Sequence, residues 1–123
     1  MRVQNIGTGA ASSVSVRIYF TLDSGRPIGD YRLQTTGGDA AGISGPTLVS
    51  GTTYYYTVSR AAALAAGSNW TVNLRLDLAT GPNNFSSAND WWHNGAGALP
   101  ATFTDWQRIP AYLNGVRVWG SEP

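Results

Sequence analysis

The segment Ala111-Tyr-Leu-Asn-Gly-Val-Arg-Val-Trp-Gly-Ser-Glu-Pro123 decides the fold. It holds two short apolar runs joined by Asn114-Gly115. Asn-Gly suits a two-residue hairpin because a type I′ turn needs φ > 0 at both central residues. The segment therefore reads as a pair of antiparallel strands. The same period of two recurs upstream. Val14, Val16, Ile18 and Phe20 alternate with Ser15, Arg17, Tyr19 and Thr21, which directs one face to a core. Val72, Leu74, Leu76 and Leu78 alternate with Thr71, Asn73, Arg75 and Asp77 in the same way. Residues 53–59 are rich in aromatic and β-branched types, and alternation sets Tyr55 opposite Tyr54 and Tyr56.

Turn clusters separate these runs at Asp23-Ser-Gly, Thr36-Gly-Gly-Asp, Ser44-Gly-Pro, Gly81-Pro-Asn-Asn and His93-Asn-Gly. The one helix-like stretch, Arg60 to Ala66 before Gly67, is too short to stand alone and reads as a turn or brief helical loop. No repeat or linker interrupts residues 1–123, which form a single domain. Many short strands with frequent turns give an all-β fold, an antiparallel β-sandwich with jelly-roll topology.

Composition narrows the function. The eight positive side chains are all Arg, scattered along the chain, and the net charge is +1. That leaves no basic stripe, so nucleic acid is not an expected partner. No apolar run reaches the length of a membrane span, and no membrane partner is expected. The absence of Cys removes disulfides and thiolate metal sites. Glycoside hydrolysis needs two carboxyl groups flanking the bond. Glu122 is the only Glu, and the Asp residues form no recognisable pair. His93 has no nucleophilic Ser beside it and reads as a solvated loop residue. The chain is not expected to be an enzyme.

The terminal segment closely resembles the last strand pair of the family 3 carbohydrate-binding modules, the cellulose-binding modules of bacterial cellulases and scaffold proteins. The resemblance extends to Val3-Gln-Asn-Ile-Gly-Thr-Gly9, to Val16 through Gly25, to Phe85-Ser-Ser-Ala-Asn-Asp-Trp91 and to Phe103-Thr-Asp-Trp106. It is weakest from about Gln34 to Ser50. It implies a structural calcium ion held by Thr21, Asp23, Ser86, Asn89 and Asp90. Two carboxylates with amide and carbonyl oxygens suit such a hard cation. Turn chemistry alone reads the same residues as ordinary Asx turns.

The resemblance also implies a flat strip that binds cellulose. Its acidic-aromatic pair falls on Asp30-Tyr31, with Arg32 beside it. The strip's Trp position falls at or beside Pro82 and its middle Tyr has no counterpart in the Gly-rich stretch 37–46, so two planar anchors are missing, while its Arg position falls on Asp77. Trp92 is the further candidate, since adjacent strand residues face opposite ways and Trp91 and Trp92 can divide between core and surface. Trp106 and Trp119 read as core residues.

The expected function is a non-catalytic, secreted module that binds cellulose or a related β-glucan and targets an attached catalytic or scaffold domain to it. The alternative is a structural or fibre-forming module that has kept the fold and lost cellulose binding. Family members carry a further strand before the segment matched by Val3. The first sheet is therefore expected to have an open edge, filled by self-association or by a neighbour's strand.

Overall fold

The computed structural model describes residues 1–80, 85–93 and 101–123. Among these residues eight strands run in order: β1 Arg2–Gln4, β2 Val14–Thr21, β3 Tyr31–Gly38, β4 Gly42–Ser50, β5 Thr53–Ser59, β6 Asn69–Leu78, β7 Ala111–Leu113 and β8 Val116–Trp119. They form a three-stranded sheet, β1-β6-β3, and a five-stranded sheet, β4-β5-β2-β7-β8, with all pairs antiparallel. The chain crosses between the sheets after β1, β2, β3, β5 and β6, as a jelly roll requires. The antiparallel sandwich expected from the alternation is the fold observed.

The apolar members of each alternating run meet between the sheets. Val14, Val16, Ile18 and Phe20 of β2 face Leu33 of β3 and Trp70, Val72 and Leu78 of β6. Phe20 lies at the centre, its ring 5.5 Å from Tyr56 and 5.3 Å from Tyr31. Tyr56 satisfies its buried hydroxyl by donating to the Tyr31 carbonyl oxygen at 2.8 Å. Tyr55 points the opposite way, as alternation requires. On the outer face of the five-stranded sheet the Arg17 guanidinium lies 4.4 Å from the ring centres of both Tyr55 and Tyr112.

The terminal hairpin forms as its dipeptide requires, with Asn114 at φ 51° and Gly115 at φ 78°. Residues Arg60 to Gly67 contain no helix. They make turns around Leu64, which is buried and bridged to Ala11. The strand β4 carries no apolar alternation, because as an edge strand it leaves most side chains in solvent.

Two aromatic assignments need correction. Trp119 is 42 % exposed on edge strand β8, whereas Trp70 is the fully buried indole. Trp91 and Trp92 do not divide between core and surface, and both are half-buried. His93 is also not a solvated loop residue: it is buried, edge-on to Trp92 at 5.2 Å. The turn residues Gly81–Asn84, including the Pro82 position, lie outside the described residues.

Candidate functional site

At one end of β2 the five candidate metal ligands come together. Thr21 ends the strand, Asp23 follows in the turn, and Ser86 and Asp90 flank the 3-10 turn Ser87–Asn89, which Asn89 closes. The Ser86 hydroxyl accepts from the Ala88 N–H and caps that turn. The Ser86 N–H reaches Asp23 Oδ2 at 3.1 Å, while Thr21 N–H donates to Asp90 Oδ1 at 2.9 Å. Asn89 Nδ2 lies 3.4 Å from both the Thr21 carbonyl oxygen and Asp23 Oδ1.

Asp90 is 2 % exposed, and its second oxygen accepts from Trp92 Nε1 at 3.1 Å. Burial, with the Asp23 charge adding to it, pushes the Asp90 carboxyl up to about 6. These residues fit a hard cation. Every donor is oxygen, the two carboxylates repel each other, and turning the Asn89 amide over would aim its oxygen where its nitrogen now sits. Among the described residues no cluster of three His, Cys, Asp or Glu exists, so a metal here would rely on neutral oxygens beside two carboxylates.

Tyr31 is not available as a sugar platform. Its ring is 4 % exposed, stacked on Phe20 and edge-on to Phe85. Its hydroxyl donates to Asp23 Oδ2 at 3.2 Å and accepts from the Asp23 N–H at 2.6 Å. Tyr31 therefore anchors the Asp23 turn to the core, and burial of its hydroxyl raises its pKa. Nor is Asp30 free for a ligand: Arg26 pairs with it at 3.4 Å and Thr80 donates to it at 3.0 Å. Trp92 turns inward to an apolar recess of about 270 Å³ that it shares with Leu33, Leu74, Leu76, Phe103 and Trp106.

Arg32 alone of the four sugar-binding candidates lies on the outer face of the three-stranded sheet. Cross-strand pairing sets Arg32 opposite Asp77 and Gln34 opposite Arg75. Asp77 is buried, and Arg32 Nε donates to its Oδ1 at 2.8 Å, joined by Gln34 Nε2 at 3.2 Å. Arg75 reaches Asp77 Oδ2 at 2.5 Å. The Arg32 bond, more than any other contact, holds the Asp77 carboxyl below its usual range. The family resemblance marks only a vacant Arg position at Asp77; the pairing across the sheet shows that Asp77 gathers Arg32, Gln34 and Arg75.

A model of the cellulose binding domain matches residues 1–120. The chain belongs to that family of non-catalytic carbohydrate-binding modules. The chain is 29 % identical to an uncharacterized protein in the celA 5′ region of Paenibacillus lautus, over 98 % of this chain and 86 % of that protein. It is also 29 % identical to Endoglucanase A of Paenibacillus lautus over 98 % of its length, but spans only 18 % of that enzyme. Among solved structures, biomass sensing modules from Rsgi-like proteins of Clostridium thermocellum superpose with a TM-score of 0.72 at 22 % identity. That match covers 100 % of this chain and 86 % of theirs, and bears on the fold.

Proposed function

We propose that this module binds cellulose or a related β-glucan and brings an attached catalytic or scaffold domain to it, as part of a secreted, polysaccharide-degrading protein. Tethering raises the effective concentration of such a domain at its substrate. The family match across residues 1–120 carries the reading. The outer face of β1-β6-β3 supports it, since its polar side chains suit hydroxyl-rich ligands. The cluster of Thr21, Asp23, Ser86, Asn89 and Asp90 would hold calcium as a structural ion, locking the Asp23 turn to the Asp90 loop.

The alternative, a structural module without cellulose binding, is favoured by the burial of Tyr31 and by the lack of an aromatic ring among β1, β3 and β6 residues directed to that face. Retention on microcrystalline cellulose, amorphous cellulose or xyloglucan separates the two. Binding to at least one is expected, and no retention on these or on a carboxylated cellulose would favour the alternative.

A further inference from the structure

The outer face of the three-stranded sheet presents Arg2 and Gln4 from β1, Asn69, Thr71, Asn73, Arg75 and Asp77 from β6, and Arg32 and Gln34 from β3. The register and the burial of Val3, Trp70 and Leu33 on the opposite side fix this assignment. No aromatic side chain is among them. A neutral pyranose is held largely by its apolar C–H face on a ring, and among the described residues none of these strand side chains supplies one.

It offers guanidinium groups instead. Arg32 and Arg75 sit on adjacent strands as diagonal neighbours, a placement that sets Cβ atoms about 7–8 Å apart. Both lean on Asp77, yet their side chains remain 46 % and 62 % exposed while the Asp77 side chain is 7 % exposed. The single carboxylate is used up beneath them. Arg32 engages it through Nε and Nη2 and Arg75 through Nη2. Among the described residues Arg32 Nη1 and Arg75 Nε and Nη1 have no partner. Charges on the face are Arg2, Arg32 and Arg75 against Asp77, with Asp39 at the margin, where it accepts from the Thr71 N–H. The Arg2 guanidinium is turned away over the Phe103 ring at 4.5 Å. The pair Arg32 and Arg75 is thus pre-oriented, outward-facing and more positive than the one acid below it. A planar guanidinium with free N–H groups is the side chain best matched to a carboxylate.

We propose that this face recognises a β-linked polysaccharide bearing carboxylate groups, with Arg32 and Arg75 as the carboxylate-binding residues and Asp77 as the residue that positions them. The inference rests on the polysaccharide-binding reading above and narrows its ligand to an anionic glycan.

Cellulose oxidised at C6 to the carboxylate, compared with the same cellulose unoxidised, isolates the charge while keeping the backbone. Depletion isotherms should show tighter binding to the oxidised material, weakening as salt rises because exposed charges are screened. Arg75→Gln and Arg32→Gln should each lower affinity for it by roughly five- to tenfold, as expected for a partly exposed charge-assisted hydrogen bond. Arg117→Gln, on the other sheet, should leave it unchanged, and circular dichroism checks that each variant folds. Asp77→Asn separates positioning from charge. It makes the face more positive, so mere attraction would tighten binding, whereas loss of the shared anchor weakens it. Equal retention on oxidised and native cellulose, or unchanged binding by both Arg variants, overturns this proposal alone. Retention on neither material overturns the polysaccharide-binding reading with it.

Discussion

Asp90 carries two roles that oppose each other. Its carboxyl is buried among Thr21, Trp92 and the Asp23 charge, and burial raises its pKa to about 6 from the usual value near 4. The folded state therefore binds the proton more tightly than the unfolded chain does. The stability this lends is fully present below about pH 4 and is lost as pH rises through about 6. A cation between Asp23 and Asp90 would remove that loss, because it favours the ionised form. In thermal melts, calcium should raise the melting temperature more at pH 7 than at pH 5, and chelation should reverse the gain. Asp90→Asn should abolish the response and make the metal-free domain less sensitive to pH across that interval. Melting curves indifferent to calcium and EDTA at pH 7 would refute the metal assignment. At this scale the family resemblance disclosed which residues gather, whereas turn chemistry alone reads the same Asp and Asn as ordinary Asx turns. The sequence hid Tyr31's true place, since a Tyr next to Asp30 and Arg32 carries no mark of which sheet face it will take.

Strands with a long alternation were legible; β3, where only Tyr31 and Leu33 alternate inward, and β4, which does not alternate, were missed. β2, β5, β6 and the β7-β8 hairpin all follow from apolar residues two apart, whereas β4 shows no such signal because an edge strand has only one neighbour to satisfy. Glycines divide similarly between two uses. Gly115 has φ 78° in the hairpin turn with open space around a would-be Cβ. Gly120 has φ 73°, and a Cβ there would stand 2.7 Å from the Gln107 carbonyl oxygen and 2.9 Å from Pro110 Cα. Gly115→Ala should cost about 1–2 kcal/mol, the strain of a left-handed conformation. Gly120→Ala must also move backbone and should cost more, measurable as a larger fall in denaturation midpoint at constant m-value. Equal losses would mean the segment after Trp119 is free to shift. The local reason is visible in the contacts: Ser121 N–H donates to the Gln107 carbonyl oxygen at 2.7 Å, and Glu122 accepts from Tyr19, Tyr112 and Arg17.

At the scale of the whole molecule the two sheets differ in width. The three-stranded sheet ends at β1, which pairs with β6 on one side only among the described residues. The five-stranded sheet continues to β8, where Val116 lies opposite Leu113 on the core-facing side. Val116 and Val118 are nonetheless 67 % and 62 % exposed, because the narrower sheet does not reach over them. An unpaired edge beside uncovered apolar side chains recruits another strand or another copy. Light scattering on concentrated protein should therefore detect reversible dimers, and Val118→Lys should disperse them. A monomer at every concentration would show that the edge is passive. The difference in width also sets how such association responds to heat. Contact between the bare valines is driven by release of water and gains strength on warming near room temperature. A sample that scatters more at 30 °C than at 5 °C would be joined through the β8 overhang, while one that clears on warming would be joined through backbone hydrogen bonds at β1.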